Sequence, residues 1–374
     1  MENFVVVGES RSLVAQVLLA IHSIAPARCV VLSGRHTGVL RWSRLCYRHH
    51  EINFYGPDDD AFVDRIHLLS ASMRRLTLVT ADCAGTRMIN RVRARLDIRL
   101  APTPDAAILA CLDNKWEFYQ LCERHGINVP HTIFLESKFS RSFEHLARDL
   151  GLPFVVKPLD QAASNGVHVI RSDAQFSEQI LTNPDYRFAP LVAQRFIGGR
   201  DVGLNLLAID GEVQALAIQT RDDSKVRFLA NAYLEGVAHT LARLCHYHGV
   251  MNIDARIEDG SGKVYLFESN PRFWRSLSGS VWCGVNFVGE SLTPALRSRP
   301  MPRLVSGCAD VYYHPLVRPA LWRHVLSGRG MQGRMARLMM TDPYCLLSSV
   351  RPILMSLWQT LNWHLFKRRI ARVY

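Results

Sequence analysis

The segment Val264-Tyr265-Leu266-Phe267-Glu268-Ser269-Asn270-Pro271-Arg272 constrains the chain most. An apolar run of strand character ends in a carboxylate, then an amide two residues on, then a proline and an arginine. Alternate side chains of a strand share a face, so Glu268 and Asn270 point the same way. Upstream, Met251 to Ile257 reads as a second strand, and the turn-rich Glu258-Asp259-Gly260-Ser261-Gly262-Lys263 joins the two as a hairpin. Pairing Glu258 with Val264 leaves a five-residue loop and sets Asp254 directly opposite Glu268, with Cβ atoms roughly 5 Å apart. Two carboxylates that close repel unless a cation lies between them. Oxygen donors of this kind suit Mg²⁺, which is held by one or two carboxylates together with substrate phosphates. A slip of one residue would turn Asp254 away, and a capped strand end is the plain alternative for the motif.

Cations and backbone donors suited to phosphate occur upstream. Leu152 to Val156 is a short apolar strand ending at Lys157 and Pro158, and the small-residue segment Gln161 to Gly166 leads into a second strand. No G-K-[ST] opens a helix here, so this is not a Walker A loop. The pattern predicts a β-hairpin whose backbone N–H groups close over phosphates, with an ordinary turn as the alternative. Lys115 lies near the start of a helix expected to be capped by Asp113 and to stop at Gly126.

Five motifs occur in a fixed order from Lys115 to Arg272. They are the Asp113-Asn114-Lys115 helix start, Gly126-Ile-Asn-Val-Pro130-His-Thr132, and Pro153-Phe-Val-Val-Lys157-Pro158 with the Ser164-Asn165-Gly166-Val167 loop. Gln194-Arg195-Phe196-Ile197-Gly198-Gly199-Arg200-Asp201 and the carboxylate hairpin follow. This order resembles the ATP-grasp superfamily, and Asn270-Pro-Arg-Phe273-Trp274 with Gly284-Val285-Asn286-Phe287 is most similar to its carboxylate–amine ligases related to the carbamoyl-phosphate synthetase large chain.

The resemblance implies an α/β ATP-grasp fold, two α+β lobes clasping ATP, preceded by a Rossmann-like domain. It also implies site roles. Lys115 and Lys157 would bind ATP phosphates, with Lys157 near the adenine, and Ser164, Asn165 and Gly166 would form the phosphate lid. Gln194, Arg195, Phe196 and Ile197 would line the adenine pocket, and Asp201 would hold the ribose hydroxyls. Asp254, Glu268 and Asn270 would hold two Mg²⁺ ions, with Mn²⁺ as a substitute. Arg272, with Lys157 as its catalytic companion, would stabilise the transferring phosphoryl group or acyl phosphate. The sequence departs from the family pattern in four places. Asp201 replaces the more usual Glu, Arg195 stands where many members have Glu, the lid has a single glycine, and Arg275 follows Trp274 where a small residue is common.

The start of the chain fits the same architecture. Phe4 to Val7 reads as a strand and Gly8-Glu9-Ser10 as a turn. Leu13, Val14, Val17, Leu18 and Ile21 recur at helical spacing, Cys29 to Leu32 is a second strand, and Leu76 to Val79 a later one. This β-α-β beginning belongs to a doubly wound sheet. A dinucleotide site is disfavoured because G-x-G-x-x-G is absent and no acid ends the second strand. Residues 1–108 are therefore expected to form the leading α/β domain. Residues 109–300 form the grasp domain, split into lobes of about 109–192 and 193–300, and 301–374 a basic extension.

Nine cysteines include no C-x-x-C pair, so reduced structural thiols of a cytoplasmic protein are expected. The start lacks a basic n-region and so reads as having no signal peptide. His246 and His248 flank Tyr247 beside Cys245; solvated helix-end histidines are expected over a zinc site. The net charge of +12 is concentrated in residues 301–374, which hold eleven Lys/Arg and two Asp. There Val350, Ile353, Leu354, Leu357, Trp358, Leu361 and Leu365 follow helical spacing and Lys367-Arg368-Arg369 closes the run. The favoured reading is a helix packed on the body. The sharper one is peripheral membrane or partner contact through residues 345–374.

No nucleic-acid module accompanies the charge, so nucleic acid is not an expected partner. The expected function is ATP-dependent coupling of a small-molecule carboxylate, an amino acid among the candidates, to an amine, with release of ADP and phosphate. A homodimer is a further candidate state. The alternative is a catalytically silent nucleotide-binding regulator or scaffold on the same fold.

Overall fold

A computed structural model describes residues 2–56, 59–161, 165–222, 225–292, 303–309, 314–316 and 318–350. The chain opens with β1 (Glu2–Val7), α1 (Arg11–Ile24), β2 (Ala27–Ser33), β3 (Arg48–Glu51), α2 (Asp59–Ser72), β4 (Leu76–Thr80), α3 (Cys83–Val92) and β5 (Arg99–Leu100). The strands form a parallel sheet in the order β3-β2-β1-β4-β5. Alternation along β1 and β2 explains its two covered faces. Phe4, Val6, Cys29 and Val31 pack with α1, whereas Val5, Val7, Val30 and Leu32 pack with α2 and α3.

Next come α4 (Ala106–Asp113), α5 (Lys115–Arg124), β6 (Thr132–Leu135), α6 (Phe143–Leu150), β7 (Phe154–Pro158), β8 (His168–Ile170), α7 (Asp173–Phe176) and β9 (Leu191–Arg195). The cap of α5 is Asn114, whose side-chain oxygen accepts from Trp116 N (2.9 Å) and Glu117 N (3.2 Å). This corrects the expectation of Asp113, which instead closes α4 and pairs with Arg87. The antiparallel sheet β6-β9-β7-β8 forms the smaller lobe over a core of Leu146, Phe154, Phe176 and Ile180.

The larger lobe contains β10 (Gly199–Ile209), β11 (Glu212–Asp222), β12 (Lys225–Phe228), α8 (Ala232–Leu244), β13 (Gly249–Glu258) and β14 (Val264–Asn270). It continues with α9 (Leu277–Trp282), α10 (Phe287–Leu292), β15 (Arg303–Leu304) and β16 (Gly307–Ala309). Its sheet runs β14-β13-β10-β11-β12-β16, with β15 beside β11. Residues 303–309, past the boundary expected at 300, thus join this sheet. Between the lobes the chain crosses at Phe196-Ile197-Gly198 from β9 to β10. Gly199 opens β10 with φ +141°, and a Cβ there would lie 2.0 Å from Ile257 O, so no other residue fits.

Last come α11 (Trp322–Ser327) and α12 (Gly330–Thr341). Met335, Ala336 and Met339 of α12 join α1, α9 and α10 in one core with the first sheet. Asp342 is buried and accepts Arg44 N (2.7 Å) and Cys345 N (3.1 Å), which clasps this segment to the turn after β2. Apart from Val350, the amphipathic pattern ending at Leu365 lies outside the described residues, as does most of 345–374. Among the described residues, no helix is long and apolar enough to cross a membrane.

Candidate active site

The hairpin β13–β14 sets the geometry. Ile257 pairs with Val264, one residue out of the register expected from a uniform ladder. A bulge at Phe267 then restores the count, so that Asp254 faces Glu268 and Asn252 faces Asn270. The bulge does more than shift the register. Val264 and Leu266 are buried in the lobe core, and strict alternation would have sent Glu268 and Asn270 the same way. One extra residue on β14 reverses the faces. Leu266 stays inside while Phe267, Glu268 and Asn270 meet the cleft, and Ser269 turns back to donate to Leu112 O (2.5 Å).

Two lysines approach this edge from other elements. Lys115, the first residue of α5, is buried, and its Nζ lies 3.1 Å from Glu268 Oε2 and 2.7 Å from Gln161 O. Lys157, at the end of β7, is also buried and donates to Gln194 Oε1 (2.9 Å) and Phe267 O (3.3 Å). Burial pushes the Lys157 ammonium down to about 8, against the Glu268 charge that acts to raise it. At Glu268, burial acts upward, but Lys115 and Lys157 outweigh it and hold the carboxyl below its usual range. Asp254 opens onto the cleft. The surrounding protein and the facing Glu268 charge raise its carboxyl. The pair is thus asymmetric: the cations side with Glu268, and Asp254 carries the cost of proximity.

Arg272 donates to Asn270 Oδ1 (2.7 Å) and to Phe273 O (2.9 Å). Asn270 Nδ2 in turn lies 3.3 Å from Asp254 Oδ2 and 3.3 Å from Asn252 Oδ1. The Arg272 charge also acts on Asp82, which caps α3 and accepts Ser10 N (2.6 Å) and Gly85 N (2.9 Å). Burial nevertheless raises the Asp82 carboxyl overall. The first sheet therefore reaches the same site through the ends of β1 and β4.

The other candidates are spread along the cleft. Gln194 lies in β9 just before the inter-lobe crossing; its side chain is buried, bridging Lys157 (2.9 Å) and Thr132 Oγ1 (2.8 Å). Phe196 and Ile197 form the crossing itself. Arg195 turns to Glu258 (3.4 Å) and Tyr265 Oη (3.3 Å). Asp201 is bound by Arg256 (2.6 Å), which also donates to Ile197 O (2.8 Å). In the lid region Ser164 lies outside the described residues. Asn165 Nδ2 donates to Gln161 Oε1 (2.9 Å). Gly166 has φ +71°, and a Cβ there would lie 2.6 Å from Phe188, so this end of the loop is packed. Asn252 and Asn205 were not foreseen. Asn252 Nδ2 donates to Asn205 Oδ1 (3.1 Å), and Asn205 to Ala217 O (3.2 Å), so a buried amide ladder supports Asn270. The available signal was a polar residue two before Asp254 in an apolar strand.

Two carboxylates and an amide oxygen suit a hard divalent cation. Lys115 meets Glu268 through Oε2, and the Asn270 carbonyl, which accepts from Arg272, has a second lone pair. No group of three His, Cys, Asp or Glu that could hold a metal occurs among the described residues. A cation here would complete its shell with substrate oxygens, as Mg²⁺ does. His248 pairs with Asp210 (2.7 Å), as a solvated histidine does.

A parallel leading sheet, two antiparallel lobes and a carboxylate hairpin facing two lysines define the class. Residues 112–276 match the ATP-grasp domain family, so this region of the chain is an ATP-grasp domain. It is 23% identical over 185 residues to the carbamoyl phosphate synthase arginine-specific large chain of Bacillus subtilis, a match covering 45% of this chain and 17% of that protein. It is 26% identical over 136 residues to D-alanine–D-alanine ligase of Nitrosospira multiformis, covering 35% and 42%. The matches thus span less than half the length of these relatives. N5-carboxyaminoimidazole synthetase from Staphylococcus aureus, solved with ADP, shares the fold with a TM-score of 0.61 at 13% identity, over 82% of this chain and 79% of that one.

Proposed function

We propose that the protein is an ATP-dependent ligase that activates a substrate carboxylate as an acyl phosphate and couples it to an amine. The observation that carries this reading is the Asp254–Glu268 pair, held face to face by a bulge and flanked by Lys115, Lys157 and Arg272. Three cations and two carboxylates leave a net positive site that partly offsets a polyphosphate bound with a divalent ion, and no protein nucleophile is needed. Lys115 and Lys157 orient and neutralise phosphate oxygens. Gln194 fixes the Lys157 ammonium, and Arg272 stands where the acyl phosphate oxygens would gather. Asp254, Glu268 and Asn270 hold Mg²⁺, which when bound supplies charge neutralisation to the phosphoryl oxygens. Asp82 and the Gly8–Ser10 turn, close to Arg272, form the acceptor side.

Carboxylic acids and amino acids, with and without amines, are to be screened for stimulated ADP release. Glu268→Gln keeps the shape and removes the charge, so stimulated release should fall on the order of 10²-fold or more. MgATP should raise the melting temperature, and ATP with EDTA should do so less. Near-normal turnover in Glu268→Gln would refute the assignment. A metal-dependent shift without turnover for any acid would favour a silent nucleotide-binding protein.

A further inference from the structure

Between Glu9 and Glu51 the chain has no acidic residue, and the second half of that stretch builds one outer corner of the parallel sheet. β3 is an edge strand, and the 3-10 turn Arg35–Trp42 leads into it. Together with the start of β2 they carry Arg28, Arg41, Arg44 and Arg48, all exposed. Among the described residues none of the four lies within ion-pair distance of a carboxylate. Two rings stand among them. Trp42 is 66% exposed and Tyr47 49%, and the Arg28 and Arg48 guanidiniums each lie 5.3 Å from the Tyr47 ring centre.

The backbone of this corner is pinned. Ser43 N donates to Leu40 O (3.0 Å), Cys46 N to Ser43 O (3.2 Å) and Tyr47 N to Cys29 O (2.8 Å). Asp342 receives Arg44 N from the other side. The rings and guanidiniums are therefore presented on a fixed scaffold. A projecting tryptophan near guanidiniums that meet no carboxylate among the described residues, Arg41 donating only to Gly38 O (2.8 Å), matches the boundary of a phospholipid layer, where an aromatic body enters the headgroups and arginines meet phosphates.

We propose that this corner docks the protein on an anionic phospholipid surface, with Trp42 and Tyr47 entering the headgroup layer and the four arginines meeting lipid phosphates. The sequence beyond the Asp342 clasp has matching character. Residues 343–374 contain no acid, with Arg351, Lys367, Arg368, Arg369 and Arg372 among them, and Leu347, a few residues past the clasp, is 55% exposed. Nucleic acid also attracts arginine, but the corner is a short turn and an edge strand with no base-reading module.

The full chain is to be sedimented with phosphatidylcholine vesicles, with and without phosphatidylserine, at low and high salt. It should bind only the anionic vesicles and release as salt rises. Replacing Arg41, Arg44 and Arg48 together by Gln should weaken binding on the order of 100-fold, since each basic residue at such a surface contributes about a factor of five. The same three positions as Lys should retain most binding. Trp42→Ala should weaken it without changing its salt dependence. Melting temperature and nucleotide response, unchanged in these variants, verify folding. Three results would overturn the proposal. They are no binding to anionic vesicles, equal binding by wild type and the triple Gln variant, and duplex DNA or RNA binding in place of vesicle binding.

Discussion

Lys157 shows how a single buried ammonium links the site to stability. Its ordinary value of 10.5 is depressed to about 8 in the folded chain, chiefly by burial. Below pH 8 both states hold the proton, and the folded state bears the cost of an enclosed charge. Between pH 8 and 10.5 the unfolded chain still holds the proton while the folded one releases it, so this cost is relieved as pH rises. The wild type should therefore gain on Lys157→Met between pH 8 and 10, by at most about 1.4 kcal/mol per pH unit, read from denaturant melts. A pH-independent difference between the two proteins would contradict the burial. The same shift predicts that nucleotide binding at pH 9 takes up a proton, visible in calorimetry as a dependence on buffer ionisation heat, and that Lys157→Met loses this uptake.

At the scale of elements, the bulge in β14 decides where the carboxylates point. An Ala inserted between Asp254 and Ala255 gives Phe267 a partner and mends the β13–β14 ladder at the cost of one unpaired residue against β10, and Asp254 and Asn252 must turn toward the lobe core or the β10–β13 register must shift. We expect poor folding, with any soluble protein losing the metal-dependent thermal shift; the same insertion at Gly260, in the turn, should be tolerated. Retention of the shift after mending would show that the bulge is dispensable. This hairpin also marks how far the sequence could be read. The two strands, the facing carboxylates and the turn were legible because strand patterning and turn residues are local. The bulge was not, because a period of two carries no sign of one extra residue. The cap of α5 was misassigned because Asp113 and Asn114 are both good caps, and only the α4 boundary separates them. The bridging role of Gln194 and the amide ladder Asn205–Asn252–Asn270 depend on which strands lie side by side, information that no single segment holds. The β1-α1-β2 start was plain, since apolar runs and helical spacing coincide with the observed elements.

Across the whole molecule, the late segment is part of the main body. Asp342 receives two backbone N–H groups, one from Arg44 and one from Cys345, while itself buried. Asp342→Asn keeps the size but replaces one acceptor by a donor, leaving a buried N–H facing an N–H. A loss of about 1–3 kcal/mol is expected, seen as a lower melting temperature with the nucleotide response intact. An unchanged melting temperature would mean that the clasp is not formed in solution. The packing of α1 has a further consequence during synthesis. Its apolar face is covered by α9, α10 and α12 as well as by the first sheet, so its final partners are made some 300 residues later. At translation rates of 5–20 residues per second, that face waits roughly 15–60 s after it leaves the ribosome. Leu13, Val17 and Leu18 are thus the residues most in need of temporary cover in the nascent chain, and a slow ribosome or a scarce chaperone would be felt first at α1.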